Sequence, residues 1–187
     1  MKYFCCIFFG SLLFSATHAF AQDTLYDSQN PKLPCTFQFP RTWSISESDG
    51  TTEPYSEYDL LGRANKQKTF STHISVSITD AAVAKATNLN DYLDRFTERA
   101  KQLYDRYEVV RRIKTQVWGQ SVPTLDIAYA LPLPIEQTTN TWTIILERRA
   151  VILNNGKLWT FIYSADANDY EASLPVFQHF LDTFFFK

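Results

Sequence analysis

The chain has 187 residues, 18 Lys and Arg against 20 Asp and Glu, 45% hydrophobic residues and 16% aromatic ones, the makeup of one well-packed domain. A formal net charge of −2 gives no support for a nucleic-acid partner, which calls for a basic face. Only five glycines occur, one of them within the first ten residues, so glycine-rich loops that cradle phosphate are hard to build.

Residues 1–21 read as a secretory signal. Lys2 supplies the positive start, Tyr3 to Phe14 an apolar core, and Ala19-Phe20-Ala21 a small-x-small cleavage site, with cleavage expected after Ala21 and Ala19 as the alternative. The apolar core is too short to remain as a spanning helix and no later run replaces it, so no stable membrane insertion is expected after cleavage. Cys5 and Cys6 lack the small flanking residues of a lipoprotein cleavage box, so no lipid anchor is expected. The mature product has 166 residues with 17 basic and 20 acidic side chains, Lys2 being the one charge removed. That length buries roughly two-thirds of the unfolded surface. Cys35 is its single thiol, which rules out an internal disulfide and leaves a buried small hydrophobe or a bridge between chains.

Gln22 to Pro34 is polar and punctuated by proline, a flexible N-terminal arm over 22–34 ahead of a single domain over 35–187. Cys35, Phe37 and Phe39 alternate as one face of a strand, Pro40 to Thr42 turn the chain, and Trp43 and Ile45 begin a second short strand. Ser46 to Tyr58 is acidic and turn-rich and reads as a solvated loop, since its carboxylates lack the regular spacing of a calcium loop. Thr72 to Asp80 is a half-buried strand, with Ile74, Val76 and Ile78 opposite His73, Ser75, Ser77 and Thr79. A helix follows. Asn88 or Asn90 caps it, Asp91 and Asp94 suit its positive end, Asp91 and Arg95 stand one turn apart, and Leu89, Leu93, Phe96, Ala100, Leu103 and Tyr107 form the stripe. Val109 to Val117 and Val122 to Ala130 are two strands joined at Trp118-Gly119-Gln120, and Leu131-Pro-Leu-Pro ends the pairing because proline cannot donate to a ladder. Ile135 to Asn140 is a polar connection.

The strongest local signal comes next. Asn155-Gly156 breaks the apolar run from Trp142 to Ser164, and that dipeptide tolerates the φ > 0 of a two-residue hairpin turn. Pairing outward sets Ile152 opposite Trp159, Ala150 opposite Phe161 and Arg148 opposite Tyr163. The other face carries Leu153/Leu158, Val151/Thr160 and Arg149/Ile162. Both faces near the turn are apolar, as expected of the middle of a sheet covered on both sides. Asn168 or Asp169 caps a closing helix with Tyr170, Leu174, Phe177, Leu181 and Phe184 on one face, and Pro175 requires a late start or a bend.

An enzyme needs a nucleophile, a base and an orienting group within reach of one another. After removal of the signal the only histidines are His73, on the polar side of its strand, and His179, expected outside its helix. Cys35 falls on an apolar face, where a thiol stays protonated; a Cys35/His73 dyad requires their strands to be neighbours. The hydrolase, zinc-protease and phosphate-loop motifs are missing, and no cofactor or metal is expected. Arg111-Arg112 and Arg148-Arg149 are doublets on strands, so each sends one guanidinium to each face. Arg111, Arg148, Arg149 and Tyr163 form a candidate basic aromatic patch for carboxylates or an acidic partner; the structural alternative is cross-strand pairing with Asp126 or Glu147. Trp118, Trp142 and Trp159 are candidates for a groove, with core packing as the alternative.

Phe37-Gln-Phe-Pro-Arg-Thr-Trp43, the Ile74/Val76/Ile78 strand, the Leu89 to Tyr107 helix, Trp118-Gly-Gln before Leu125 to Tyr129, the Arg148 to Tyr163 hairpin and the terminal Thr183-Phe-Phe-Phe follow one another in an order that resembles the PsbP/Mog-like family, including its exported DcrB-like bacterial members. The resemblance covers nearly all of the mature chain. It implies an α+β fold with a central, mostly antiparallel sheet of about six or seven strands and helices on both faces. It also implies binding rather than chemistry, and it carries no catalytic residues to transfer. The expected function is that of an exported, non-enzymatic accessory factor, periplasmic or secreted, in a Gram-negative cell envelope, with an envelope or secreted protein as partner. The alternatives are a carrier of a small apolar or anionic ligand and, third, a hydrolase or thiol enzyme.

Overall fold

The computed structural model describes residues 23–29, 31, 34–48, 56–133 and 141–187. The expected signal peptide, its cleavage site, most of the 46–58 loop's turn residues and the 135–140 connection lie outside the described residues. Ten strands and two helices follow in chain order: β1 (Asp23–Asp27), β2 (Cys35–Pro40), β3 (Ser44–Ser48), β4 (Ser56–Ala64), β5 (Ser71–Asp80), α1 (Leu89–Leu103), β6 (Asp105–Val117), β7 (Gln120–Leu133), β8 (Thr141–Asn154), β9 (Lys157–Asp166), α2 (Tyr170–Thr183) and β10 (Phe185–Phe186).

The β8–β9 hairpin forms in the register its sequence dictates, Ile152 opposite Trp159, Ala150 opposite Phe161 and Arg148 opposite Tyr163. Asn155 and Gly156 have φ of 49° and 73°, as a type I′ turn demands. Trp118 and Gly119 repeat that geometry, with φ of 51° and 71°, between β6 and β7. Around the hairpin the seven-stranded sheet runs β3-β4-β5-β9-β8-β7-β6, antiparallel throughout, and a separate small sheet runs β1-β2-β10. The α+β architecture with helices on both faces of an antiparallel sheet is therefore present.

Several strands differ from expectation. Asp23–Asp27 is no loose arm but pairs with β2, whose free edge offers backbone partners. The acidic stretch contains the start of a nine-residue strand, β4, between β3 and β5; its Tyr58 and Leu60 face the core while Asp59 and Leu61 face away. Cys35, Phe37 and Phe39 do alternate, but β2 belongs to the small sheet rather than the large one. Pairing also continues through Pro132 to Leu133. Both prolines of β7 lie where that strand has one neighbour only: the β6 ladder begins at Ala130, and the β8 ladder begins at Thr124, just past Pro123. The missing donor thus has a side without a ladder to face.

Two apolar layers result. The inward side chains of β4, β5, β8 and β9 (Tyr58, Ile74, Val76, Ala150, Phe161 and Tyr163) meet α2 and the small sheet through Phe37, Phe177, Phe180 and Phe184. The reverse face of β7, β8 and β9 meets α1 through Leu93 and, less fully, Phe96. Asn88 caps α1 by accepting from the backbone N–H groups of Asn90 and Asp91. The helix ends at Leu103, which is exposed, so Tyr107 belongs to β6; Arg95 donates to the carbonyls of Ala84 and Lys85 instead of pairing with Asp91. Helix α2 keeps Pro175 in its interior. Proline cannot donate to the carbonyl of Glu171, and next to that gap the Tyr163 hydroxyl donates to the Tyr170 carbonyl at 2.6 Å. Gly62 is required because any Cβ there would lie 2.5 Å from the Trp43 ring.

Candidate functional site

Direct register sets Arg111 on β6, Asp126 on β7, Arg148 on β8 and Tyr163 on β9 in one row across the sheet, on the α2 side. Arg111 reaches this row through a β-bulge. Val109 pairs with Ile127 on the α1 side, and the extra residue between Val109 and Arg111 turns Arg111 to the opposite face. Arg112 then points toward α1, where its guanidinium binds Asp94 at 2.6 Å. Arg149 also lies on the α1 side, donating to Glu147 at 2.8 Å and covering the Phe96 ring at 3.8 Å. The four residues expected to form one patch therefore separate: Arg111 and Arg148 come together, Arg149 is on the other face, and Tyr163 is fully buried.

The centre of the row is a buried ion cluster. Asp126 accepts from Arg148 Nε on Oδ1 and from Arg148 Nη2 on Oδ2, both at 2.8 Å, a two-pronged pairing. Its Oδ2 also accepts from Arg111 Nε at 2.6 Å. The Arg148 and Asp126 side chains are 9% and 6% exposed, whereas that of Arg111 is 51% exposed. Donation to the Asp126 carboxylate holds the Arg148 guanidinium above the ordinary arginine range. Two guanidinium groups share one carboxylate, so the row keeps one positive charge.

The first residue of α2 closes over this row. Tyr170 is 3% exposed, and its hydroxyl has no hydrogen-bond partner among the described residues. Burial, then the nearby Asp126 carboxylate, push that hydroxyl well above the usual tyrosine range, so it stays a protonated donor. A cavity of about 230 Å³ lies between Val110, Arg111, Asp126, Ile127, Leu146, Tyr170 and Glu171. Along α2 it adjoins a groove of about 550 Å³ lined by Arg148, Glu171, Leu174, Pro175, Gln178, His179 and Asp182. The ring of Tyr170 was legible as a core residue, but its hydroxyl was not read as a site group. The available sign was a tyrosine heading a stripe that otherwise holds Phe177, Leu181 and Phe184.

The remaining chemically capable groups stay apart. Cys35 is fully buried beneath the small sheet, and His73 lies on the reverse face of the large sheet, its Nε2 2.7 Å from Asp59 Oδ1. No Cys35/His73 dyad exists. Burial pushes the Cys35 thiol up to about 12, so its thiolate fraction at pH 8 is on the order of 10⁻⁴. The folded mature protein is accordingly expected to resist Ellman's reagent at pH 8 and to release one equivalent once unfolded in guanidinium chloride; rapid native labelling would return the thiol to consideration as a reactive group. His179, expected outside, instead has its Nε2 2.9 Å from Asp23 Oδ2, a contact that ties α2 to β1. Trp159 is core, whereas Trp118 and Trp142 are partly exposed at opposite ends of β6 and β8 rather than lining one groove. Among the described residues no cluster of three metal-ligating side chains occurs, and no helix is long and apolar enough to cross a membrane.

No protein-family model and no curated protein sequence matches the chain. Solved structures do. Cyanobacterial PsbP (CyanoP) from Synechocystis sp. PCC 6803 is similar over 95% of this chain and 100% of its own, with a TM-score of 0.58 at 19% identity. LpqN, a protein involved in cell envelope biogenesis of Mycobacterium tuberculosis, is similar over 87% of this chain and 89% of its own, with a TM-score of 0.53 at 9% identity. The protein of unknown function PA94 from Pseudomonas aeruginosa is similar over 83% and 90%, with a TM-score of 0.50 at 14% identity. At these identities the likeness is one of fold, and the chain has the PsbP-like fold that its order of motifs resembles.

Proposed function

We propose that the protein is an exported, non-enzymatic accessory factor of the cell envelope that binds another protein along the groove between β6 and α2. The observation that supports this most is the groove itself. A rigid sheet and helix hold a half-exposed guanidinium, a buried ion cluster and apolar walls at the edge strand β6, away from both His73 and Cys35. Such a mixture of apolar walls and a few fixed polar groups is what a recognition site requires. The likeness in fold to a protein of cell envelope biogenesis supports the setting, as does the expected signal peptide.

Site-specific photocrosslinking tests the reading. A crosslinking residue in place of Val110, which is 52% exposed at the groove, is expected to trap a discrete partner in intact cells. The same residue in place of Val83, 59% exposed but remote from the groove, is expected to trap none. Equal adducts from both positions, or none from Val110, would remove the groove as the binding surface.

A further inference from the structure

We infer that the cavity beside Arg111 and Tyr170 is a carboxylate subsite, taking one monoanionic carboxylate together with a short apolar stem. The inference rests on reading the β6–α2 groove as the binding surface and names the group that it holds.

Three independent features converge on this chemistry. The first is the supply of donors. Arg148 directs both Nε and Nη2 at Asp126, but Arg111 commits only Nε, and its two Nη groups make no hydrogen bond among the described residues. The second is Tyr170, which lines the same cavity and whose buried hydroxyl has no acceptor among the described residues. A buried donor without a partner is costly, and a native structure tolerates it most readily where a ligand completes the bond. The third is charge. Within the row two guanidinium groups share one carboxylate, and Glu171 at the cavity rim is the other acidic group beside them, so the Nη donors of Arg111 are not already held by an anion among the described residues.

The surroundings narrow the class further. Asp126 spends both oxygens on the arginines, so it does not face an incoming anion with unpaired acceptors. Glu171 stands at the rim and opposes a second negative charge, which disfavours phosphate dianions and dicarboxylates. A neutral amide could accept from Tyr170 but offers the Arg111 Nη groups no anionic partner. Val110 and Leu146 supply apolar walls, and about 230 Å³ holds a carboxylate followed by a few carbon atoms, not a long acyl chain. Two sources of this group fit: the free C-terminus of a polypeptide ending in a small apolar residue, and a free short-chain monocarboxylic acid.

The test uses the mature protein with ring-labelled tyrosine, followed by NMR, the Tyr170 resonance being assigned from its loss in Tyr170→Phe. Three probes are titrated: butyrate, acetyl-Ala-Leu with a free C-terminus, and the same peptide as its C-terminal amide. The expected result is a saturating shift of Tyr170 with a carboxylate probe and none with the amide. Arg111→Gln is expected to weaken that binding by about tenfold or more and Arg111→Lys by less, because the charge is kept. Arg148 retains its two-pronged partner in both variants, so the fold is preserved, which near-ultraviolet circular dichroism checks. Tyr170→Phe, read through a ring-labelled neighbour such as Tyr163, weakens binding several-fold. Saturation by the peptide acid at lower concentration than butyrate identifies a chain end as the source, and the reverse identifies a free acid. Equal shifts from acid and amide, or no shift of Tyr170 from either acid at tens of millimolar, would overturn the subsite. If the Val110 crosslink then persists unchanged in Arg111→Gln, the groove remains the binding surface and only the carboxylate assignment fails.

Discussion

Asp126→Ala is expected to lower the free energy of unfolding by about 3–5 kcal/mol, the range for removing one partner of a buried ion pair. The cause lies on Arg148. Its side chain is 9% exposed, and Asp126 accepts both of its outward-facing donors. Without that carboxylate, a guanidinium stays in a nearly dry site between β7, β9 and α2. Arg111 behaves differently, because its half-exposed group turns to water, and Arg111→Ala alone is expected to cost at most about 1 kcal/mol. The pair Asp126→Leu/Arg148→Met removes both charges and is expected to recover most of the loss, which separates an orphaned charge from a general packing defect. Urea unfolding followed by tryptophan fluorescence measures all four proteins, with the slope checked for constancy. A loss below about 1 kcal/mol for Asp126→Ala would show that Arg148 reaches solvent, and the row would then be a surface feature.

Phe184→Ala is expected to be of similar size, about 3–5 kcal/mol, for an unrelated reason. Phe184 is fully buried at the point where three units meet. Its ring lies 4.8 Å from Phe161 and 5.7 Å from Trp159 on β9, 5.8 Å from Phe180 on α2, 6.0 Å from Phe37 on β2 and 5.2 Å from Phe186 on β10. Truncation leaves a cavity that rigid strands on both sides cannot close, so the transfer and cavity contributions add. Phe184→Leu keeps most of the volume and is expected to cost about 1.5 kcal/mol or less. Thermal and urea unfolding give the magnitudes, and the near-ultraviolet signal of Trp159 reports whether the small sheet has come away. Equal, small losses for both substitutions would mean that the small sheet contributes little to the core.

The two effects bear on the groove in different ways. Asp126 holds the guanidinium row in place at the binding surface, whereas Phe184 fixes the far end of α2 against the sheet. Destabilising α2 at Phe184 leaves the Arg111–Asp126–Arg148 contacts untouched, since those lie between strands. A ligand that binds across β6 and the start of α2 would therefore be sensitive to the first change through its contacts and to the second only through unfolding.

Local pattern reported faithfully whatever depends on neighbours along the chain. Asn155-Gly156 determined a turn and, through period-two alternation, every cross-strand partner in the β8–β9 hairpin, because a two-residue turn leaves no freedom of register. Asn88 and the apolar stripe determined α1, and the run from Tyr170 to Phe184 determined α2 despite Pro175. The arginine doublets likewise determined that one guanidinium of each goes to each face, since adjacent strand residues point in opposite directions. Pairing of Asp126 with those arginines was also legible, as opposite charges on neighbouring strands, whereas Glu147 pairs with Arg149 along β8 itself rather than across strands.

Tertiary structure alone decided which neighbours those residues would meet. Nothing in Cys35 to Pro40 distinguishes a strand of the large sheet from one of the small sheet, and Asp23–Asp27 becomes a strand only because β2 offers it an edge. Ser56–Ala64 places polar residues on a face that α1 leaves bare, so its sequence lacks the apolar bias by which a strand is normally seen. The bulge before Arg111 sets it beside Asp126 instead of Leu125, and no residue there announces the extra one. Alternation is written into each strand by covalent geometry, whereas strand order, bulges and the burial of the Tyr170 hydroxyl follow from contacts between residues far apart in the chain. The elements were therefore the sequence's to determine, and the site, which draws on β6, β7, β8 and α2 at once, belonged to the packing.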